Sequence, residues 1–396
     1  MRQESVSKLG NRFGQPGRIL CVVGARPNYM KIAPIMRAFE RSERFERPIL
    51  VHTGQHYDAE MNGKLFADLE LPAPDINLEV GSGSHAVQTA EVMHRFEPVL
   101  EAGQPACVVV VGDVNSTLAC ALVAAKRRVP VVHVEAGLRS FDRSMPEEIN
   151  RVLTDQISDL LFTTERTAHA NLAREGIDMS RVHFVGNVMI DSLLLHRERA
   201  PAVADVLSQA GARALSLPAG AGYGVVTLHR PSNVDEGDAL REALVILADV
   251  SQALPLVWPL HPRTRANVDR FGLARLLDTP RIVVLPPQGY LQMVALMSSA
   301  TLVLTDSGGV QEETTALSVP CLTMRDSTER PITVEQGTNV VVGRDRNLVL
   351  SLVDDVMKTG GKRGRMPEMW DGHAAERIVD HLNSWMLSRK LPAIAR

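Results

Sequence analysis

At 396 residues, with 45% hydrophobic and 22% charged side chains, the chain is too long for one ordinary core and too apolar for a disordered one, so about two globular domains are expected. A formal net charge of −3 gives no electrostatic footprint for nucleic acid, and no block of like charge marks a membrane surface or an acidic tail. Cys21, Cys107, Cys120 and Cys321 stand singly among apolar neighbours without a C-x-x-C pair, which argues against a disulfide framework or zinc ligation and for buried thiols.

Residues 1–17 read as a polar tail without the apolar core of a signal peptide. The longest apolar runs are strand-length, so no membrane span is expected and the location read from the sequence is cytoplasmic. Strands are predicted at 18–25, 48–54, 106–113, 130–136, 160–164 and 182–187, with amphipathic helices at 30–42, 84–101, 116–126 and 146–158. Strands alternating with helices of crossover length make a parallel sheet, and apolar runs such as CVVVV indicate cover on both faces. A second series follows at 224–229, 255–261, 281–287, 301–306 and 320–324.

The expected fold is therefore α/β, with two Rossmann-like domains whose parallel sheets face a cleft. The N-terminal domain is assigned to 18–195 and a second Rossmann-like domain, which the resemblance given below makes the nucleotide-binding one, to 196–370, with a hinge near 190–220, where Pro201 and LPAGAGYG interrupt the pattern. The last segment, 371–396, carries an amphipathic helix through Ala374, Ile378, Val379, Leu382 and Trp385 that could cap either domain, including by packing back on the first.

Chemistry should gather where buried strands end, because ligands of open α/β sheets bind beyond the carboxyl ends of the strands. In VVHVEAGLRSFDRSMPEEINR, residues 131–151, Glu135, Arg139, Glu147, Glu148 and Arg151 directly follow such a strand. Asp113 ends another, with an N-cap of the next helix as the alternative reading, and His229 and Arg230 end a third. Ser307, Gly308 and Gly309 pass from a strand straight into a helix, a natural phosphate seat or else a tight turn with a serine cap. Arg26 and Lys31 stand at a similar transition and could face one anion. Neither loop is a Walker A or dinucleotide fingerprint, so no redox cofactor is implied, and the twelve scattered histidines show no metal-ligand spacing.

Taken in order, GARPNYMK, TGQH, VGD, HVEAGLRS, MPEEINR, LHRPSNVD, DSGGVQEE and STERPITVEQGTN closely resemble the non-hydrolysing UDP-N-acetylglucosamine 2-epimerases, over about residues 18–390. The resemblance implies the two-domain glycosyltransferase-B architecture and reversible C2 epimerisation of UDP-GlcNAc to UDP-ManNAc through a 2-acetamidoglucal intermediate. It implies no cofactor and no metal, a nucleotide sugar as the small-molecule partner, no nucleic-acid or membrane partner, and a homodimer. By match to the motifs, Asp113, Glu135, Glu147 and His229 form the catalytic group, with Arg26, Lys31 and Arg330 at the phosphates. Ser307, Gly308, Gly309 and Glu313 hold phosphate and ribose, and Gln288 and Met293 contact uracil. Gln55, His56 and His261 match positions that some bacterial members use for a second, activating UDP-GlcNAc. Glu148 is left to structure, and Arg139 and Arg151 to local charge pairing.

Three motifs depart from the usual pattern. G-T-R-P-E has Ala25 and Asn28, H-R-x-E-N has Ser232, and T-E-R-P-E has Ile332. The catalytic positions are retained, and the missing carboxylates bear on how the sugar substituents are read. The alternatives are a 2-epimerase of a related UDP-diacetamido sugar, a hydrolysing epimerase releasing ManNAc and UDP, a glycosyltransferase of the same architecture, and a non-catalytic nucleotide-sugar binder.

Overall fold

The computed structural model describes residues 17–54, 59–208 and 222–389, the side chains of 59–62 and 64 excepted. The assigned tail up to Pro16, and with it Gln55 and His56, lies outside the described residues. The chain divides into two compact units, one running to Ser192 and resuming at Glu368, the other formed by Leu193–Pro367.

In the first unit the elements are β1 (Ile19–Val23), α1 (Arg26–Arg41), β2 (Ile49–His52), α2 (Ala59–Asp68), β3 (Ile76–Asn77), α3 (His85–Gly103) and β4 (Cys107–Val111). They continue with α4 (Asn115–Lys126), β5 (Val131–Val134), α5 (Pro146–Ile157), β6 (Leu160–Thr163), α6 (Thr167–Arg174), β7 (Val182–Phe184) and α7 (Val188–Arg197). The strands form a parallel sheet in the order β3-β2-β1-β4-β5-β6-β7. Strands β1, β2, β4, β5 and β6 are buried at every residue, as covered parallel strands must be. One core packs Val108, Val110 and Val131 against Val92, Phe96 and Leu100 of α3 and Cys120 and Ala124 of α4.

Helix α1 begins at Arg26, four residues ahead of the predicted start at 30. Pro27 sits in its first turn, where a missing N–H costs nothing. Asn28 closes the end by accepting the Gly24 and Ala25 amides, each at 3.1 Å. Strand β3 escaped the periodicity because two edge residues carry no pattern.

The second unit holds α8 (Val203–Ser208), β8 (Gly224–Thr227), α9 (Pro231–Val234), α10 (Gly237–Ala253), β9 (Leu256–Pro259), α11 (Pro262–Arg270) and β10 (Ile282–Leu285). Then follow α12 (Tyr290–Ser298), β11 (Leu302–Thr305), α13 (Gly308–Leu317), β12 (Cys321–Thr323), α14 (Pro331–Glu335), β13 (Asn339–Val341) and α15 (Arg346–Thr359). Its parallel sheet runs β10-β9-β8-β11-β12-β13, and β13 is again a short edge strand that the apolar pattern did not mark. One face carries the core around Trp258, Leu244, Leu247 and Val353, and the other the core around Val257, Val303 and Leu296.

The boundary between the units falls inside α7, and the final helix α16 (Ala374–Ser388) belongs to the first. Asp191 accepts the Ala374 and Ala375 amides at 3.2 and 2.7 Å, so a carboxylate distant in sequence caps α16. Trp370, fully buried, donates its indole N–H to the Thr164 carbonyl at 3.1 Å. All four cysteines are buried free thiols.

Candidate active site: charged groups at the two switch points

In each sheet the order reverses once, between β1 and β4 in the first unit and between β8 and β11 in the second. Such a reversal leaves the helices on opposite faces and opens a crevice at the strand ends. Arg26, Lys31, Asp113, His229, Ser307–Gly309 and Glu313 follow the four strands that flank these reversals, the other described candidates follow strands further along the same sheets, and each half is described on its own unit.

Asp113 follows β4, and Glu135 follows β5. Gly112 and Glu135 both adopt left-handed backbone conformations, with φ of +67° and +73°. For glutamate this is uncommon and costly, which marks a position held for its side chain. The Glu135 carboxylate is buried and pairs with Lys31 of α1 at 2.7–2.8 Å. Lys31, expected from the resemblance at a diphosphate, is thus placed on Glu135. A Cβ on Gly112 would lie 2.7 Å from the Lys31 ammonium, so the bare backbone there is what lets the lysine reach.

Asp113 is not the N-cap of α4; Val114 occupies that position without a side-chain bond. Its carboxylate instead meets Arg151 of α5, which also binds Glu148. Glu148 accepts the Ser140 amide and hydroxyl and the Phe141 amide, each at 2.9 Å, and so holds the 140–141 turn as a structural group. Asn150 adds a bond to the Asp113 carbonyl at 2.9 Å. Glu147 is half-buried in the first turn of α5, and Arg26 is half-buried at the start of α1. Asn28, one of the departures, uses both ends of its amide: besides accepting two backbone amides it donates to the Val111 carbonyl at 2.9 Å, which a carboxylate could not do.

In the second unit, His229 follows β8 and Asp306 follows β11. Asp306 is fully buried and accepts four bonds: the His229 amide, the Arg230 amide at 2.9 Å, the Asn233 amide group at 3.1 Å and the His229 ring nitrogen Nδ1 at 3.1 Å. Burial pushes its carboxyl upward, but the His229 ring and these donors hold it below the usual range. An ionised Asp306 fixes the Nδ1–H tautomer and leaves Nε2 of His229 for proton transfer. Asp306 was not singled out from the sequence, although it carries the same carboxylate-after-strand signal as Asp113.

Helix α13 starts at Gly308 with Ser307 as N-cap. Ser307 thus caps by position, as the alternative reading had it, but without a side-chain cap bond, and its hydroxyl stands at a helix end that favours anions. A Cβ on Gly308 would meet the Glu329 carboxylate at 2.6 Å, so a larger residue would push that side chain aside. Glu329 pairs with Arg325 at 2.7 Å, and Arg330 with Glu312 at 2.9 Å, which brings the 325–330 loop and its arginines to α13. Glu313 lies one turn into α13, buried, and desolvation raises its carboxyl to about 8 despite a bond from the Tyr290 hydroxyl. Gln288 and Met293 bracket the start of α12, with Gln288 half-buried and bonded to the Pro286 carbonyl at 2.8 Å. The His261 ring lies 5.9 Å from that of His229, and its Nδ1 accepts the Arg263 amide at 3.2 Å.

Two successive Rossmann-like units, each with its charged groups at the switch point and one with a glycine-led helix end, define an α/β protein of glycosyltransferase-B architecture. Residues 37–383 match the family described as UDP-N-acetylglucosamine 2-epimerase. The chain belongs to that family of isomerases. It is 40% identical to the UDP-N-acetylglucosamine 2-epimerase of Methanocaldococcus jannaschii over 91% of this chain and 98% of the relative. It is also 40% identical to the UDP-2,3-diacetamido-2,3-dideoxy-D-glucuronate 2-epimerase of Pseudomonas aeruginosa, over 92% and 99%. A crystal structure of the M. jannaschii enzyme in complex with UDP-GlcNAc and UDP superimposes with a TM-score of 0.84, covering 93% of this chain and 99% of that one.

Proposed function

We propose that the protein interconverts UDP-GlcNAc and UDP-ManNAc by inversion at C2. The observation that carries the reading is the pairing of a strained, buried Glu135 on Lys31 with Asp113 beside it, in a chain that also holds His229 on Asp306. Binding a nucleotide sugar does not need that acid–base set; moving protons does.

The C2–H bond of the sugar is not acidified by an adjacent carbonyl, so direct deprotonation is too hard. In the proposed reaction the C1–O bond breaks with its electron pair leaving on UDP, the C2 proton passes to a carboxylate, and a C1=C2 double bond forms. Protonation of the resulting 2-acetamidoglucal at C2 on the other face, with return of UDP oxygen to C1, gives the epimer. The cycle is redox-neutral and needs no cofactor. Asp113, Glu135, Glu147 and His229 supply the acid and base groups. Ser307, Gly308, Gly309 and Arg330, with Arg26, hold the phosphates of the departing UDP, while Lys31 stays on Glu135; each preorganised donor aimed at developing charge is worth about 3 kcal/mol, or roughly a hundredfold in rate. Glu313 accepts ribose hydroxyls, and Gln288 and Met293 contact uracil.

His261, with Gln55 and His56, is assigned to a second, activating nucleotide sugar. We further propose a cytoplasmic location, which the four buried free thiols fit as in a reducing compartment, and a homodimer, as the family resemblance implies.

The second reading keeps the chemistry and changes the sugar to a UDP-diacetamido-uronic acid, favoured by the equally similar P. aeruginosa relative. Turnover of each UDP sugar, with products identified by NMR, decides between them. Epimerisation of UDP-GlcNAc to UDP-ManNAc is expected; turnover of the diacetamido sugar alone would move the assignment to the second reading.

A further inference from the structure

His133 is the single ring within the otherwise aliphatic strand β5, and it is fully buried. Its Nδ1 lies 2.7 Å from Oδ1 of Asp155, and its Nε2 lies 2.8 Å from the carbonyl oxygen of Gly112. A carbonyl oxygen only accepts. Asp155 is fixed there by its other oxygen, which takes the Gly137 amide at 3.0 Å and the Arg139 guanidinium at 2.7 Å. The ring thus faces a backbone carbonyl at Nε2 and a carboxylate oxygen at Nδ1, two groups to which it can donate at once. Arg139 in turn binds Glu175 at 2.5 and 2.8 Å, so the carboxylate against the ring belongs to a paired network. Buried charges persist only when paired and hydrogen-bonded in this way.

The three elements joined by this ring are those that carry the proposed acid–base groups of the first unit. Gly112 follows β4 immediately before Asp113 and has a left-handed backbone. His133 lies two residues before Glu135. Asp155 lies near the end of α5, whose first turn carries Glu147 and whose Arg151 binds Asp113.

We infer that His133 is a positioning residue, a doubly donating ring that rivets β4 and α5 to β5 and thereby sets Asp113, Glu135 and Glu147 in one mutual geometry. The inference rests on the proposed epimerase reading for what that geometry serves, and on the two hydrogen bonds alone for its existence. Small displacements of catalytic groups cost on the order of a hundredfold in rate, so the effect should fall on kcat rather than on nucleotide binding.

The test uses the full-length protein. In ¹⁵N-labelled wild type, the ring of His133, assigned by its loss in His133→Gln, is expected to show two slowly exchanging N–H protons. One N–H would overturn the doubly donating ring. His133→Gln puts an amide oxygen against the Asp155 carboxylate and is expected to lower kcat about a hundredfold, with KM within about threefold. His133→Gln combined with Asp155→Asn lets the new amides pair with each other while the glutamine still donates to Gly112. It should recover at least about tenfold of that loss, a rescue that a merely space-filling ring would not give. Unchanged kcat in His133→Gln, or no recovery in the pair, would overturn the positioning role. Should His133→Gln fail to fold, the double variant and the wild-type ring spectrum carry the test. A wild type that leaves C2 untouched in every UDP sugar would overturn the epimerase reading instead, and the ring spectrum would still decide the hydrogen bonding.

Discussion

The Nδ1 nitrogen of His229 lies 3.1 Å from Oδ1 of Asp306, a carboxylate with no exposed surface. The histidine side chain is half-exposed at 41%, so a ring tied at Nδ1 to a buried carboxylate still reaches the surface. Strands β8 and β11 are neighbours in the sheet, which is why residues 77 apart in sequence meet.

Replacing Asp306 by Asn keeps the shape but removes the charge that holds the Nδ1–H tautomer. Asp306→Asn is expected to lower kcat by on the order of 10²–10³-fold, with UDP affinity nearly unchanged. Steady-state kinetics with calorimetric UDP titration checks this; equal loss in both would point to a collapsed loop.

Lys31 and Glu135 are both buried, and removing one partner strands the other. Lys31→Met should destabilise the protein by about 3–5 kcal/mol in chemical denaturation, and Lys31→Met with Glu135→Gln should restore much of it. Gly112→Ala should act on the same pair, at about 1–2 kcal/mol, because its Cβ enters the space of the lysine from a left-handed backbone.

Glu313 gives a pH dependence with a defined sign. Its carboxyl is raised by burial to about 8 from an ordinary value of 4.5. Its contribution to stability is therefore fully present below the unfolded value and is lost as pH rises through the folded one. In thermal melts, Glu313→Gln should match the wild type near pH 4.5 and become progressively more stable than it up to about pH 8. A constant difference across that window would contradict the assignment.

Asp191 caps α16 from another helix, so its loss should be felt at that end alone. Asp191→Ala is expected to cost about 1 kcal/mol and to raise hydrogen exchange at the Ala374 and Ala375 amides. Unchanged exchange there would show that the cap contributes nothing.

Much of this was legible in the chain itself. Buried parallel strands write themselves as apolar runs, so β1, β4 and β5 and the carboxylates that end them could be read directly. The edge strands β3 and β13 could not, since two or three residues carry no period. Glu135 was visible as a charge after a strand, but its left-handed backbone and its lysine partner, 104 residues away, arise only when the crossover helices pack. His133 had a signal, one polar ring in an aliphatic run, yet only the fold supplies the two acceptors that give it meaning. The dual role of Asn28 is similar: an amide in place of a carboxylate looks like a loss until the Val111 carbonyl is seen facing it.

Epimerisation by this route couples proton exchange at C2 to departure of UDP. It is tested most directly by incubating the protein with UDP-GlcNAc in D₂O and following the sugar by NMR. UDP-ManNAc is expected to appear, with deuterium replacing hydrogen at C2 in the epimer as it forms and Glu135→Gln slowed by orders of magnitude. UDP-GlcNAc that keeps its C2 hydrogen and yields no epimer would contradict it, and accumulation of free ManNAc with UDP would make the enzyme a hydrolase.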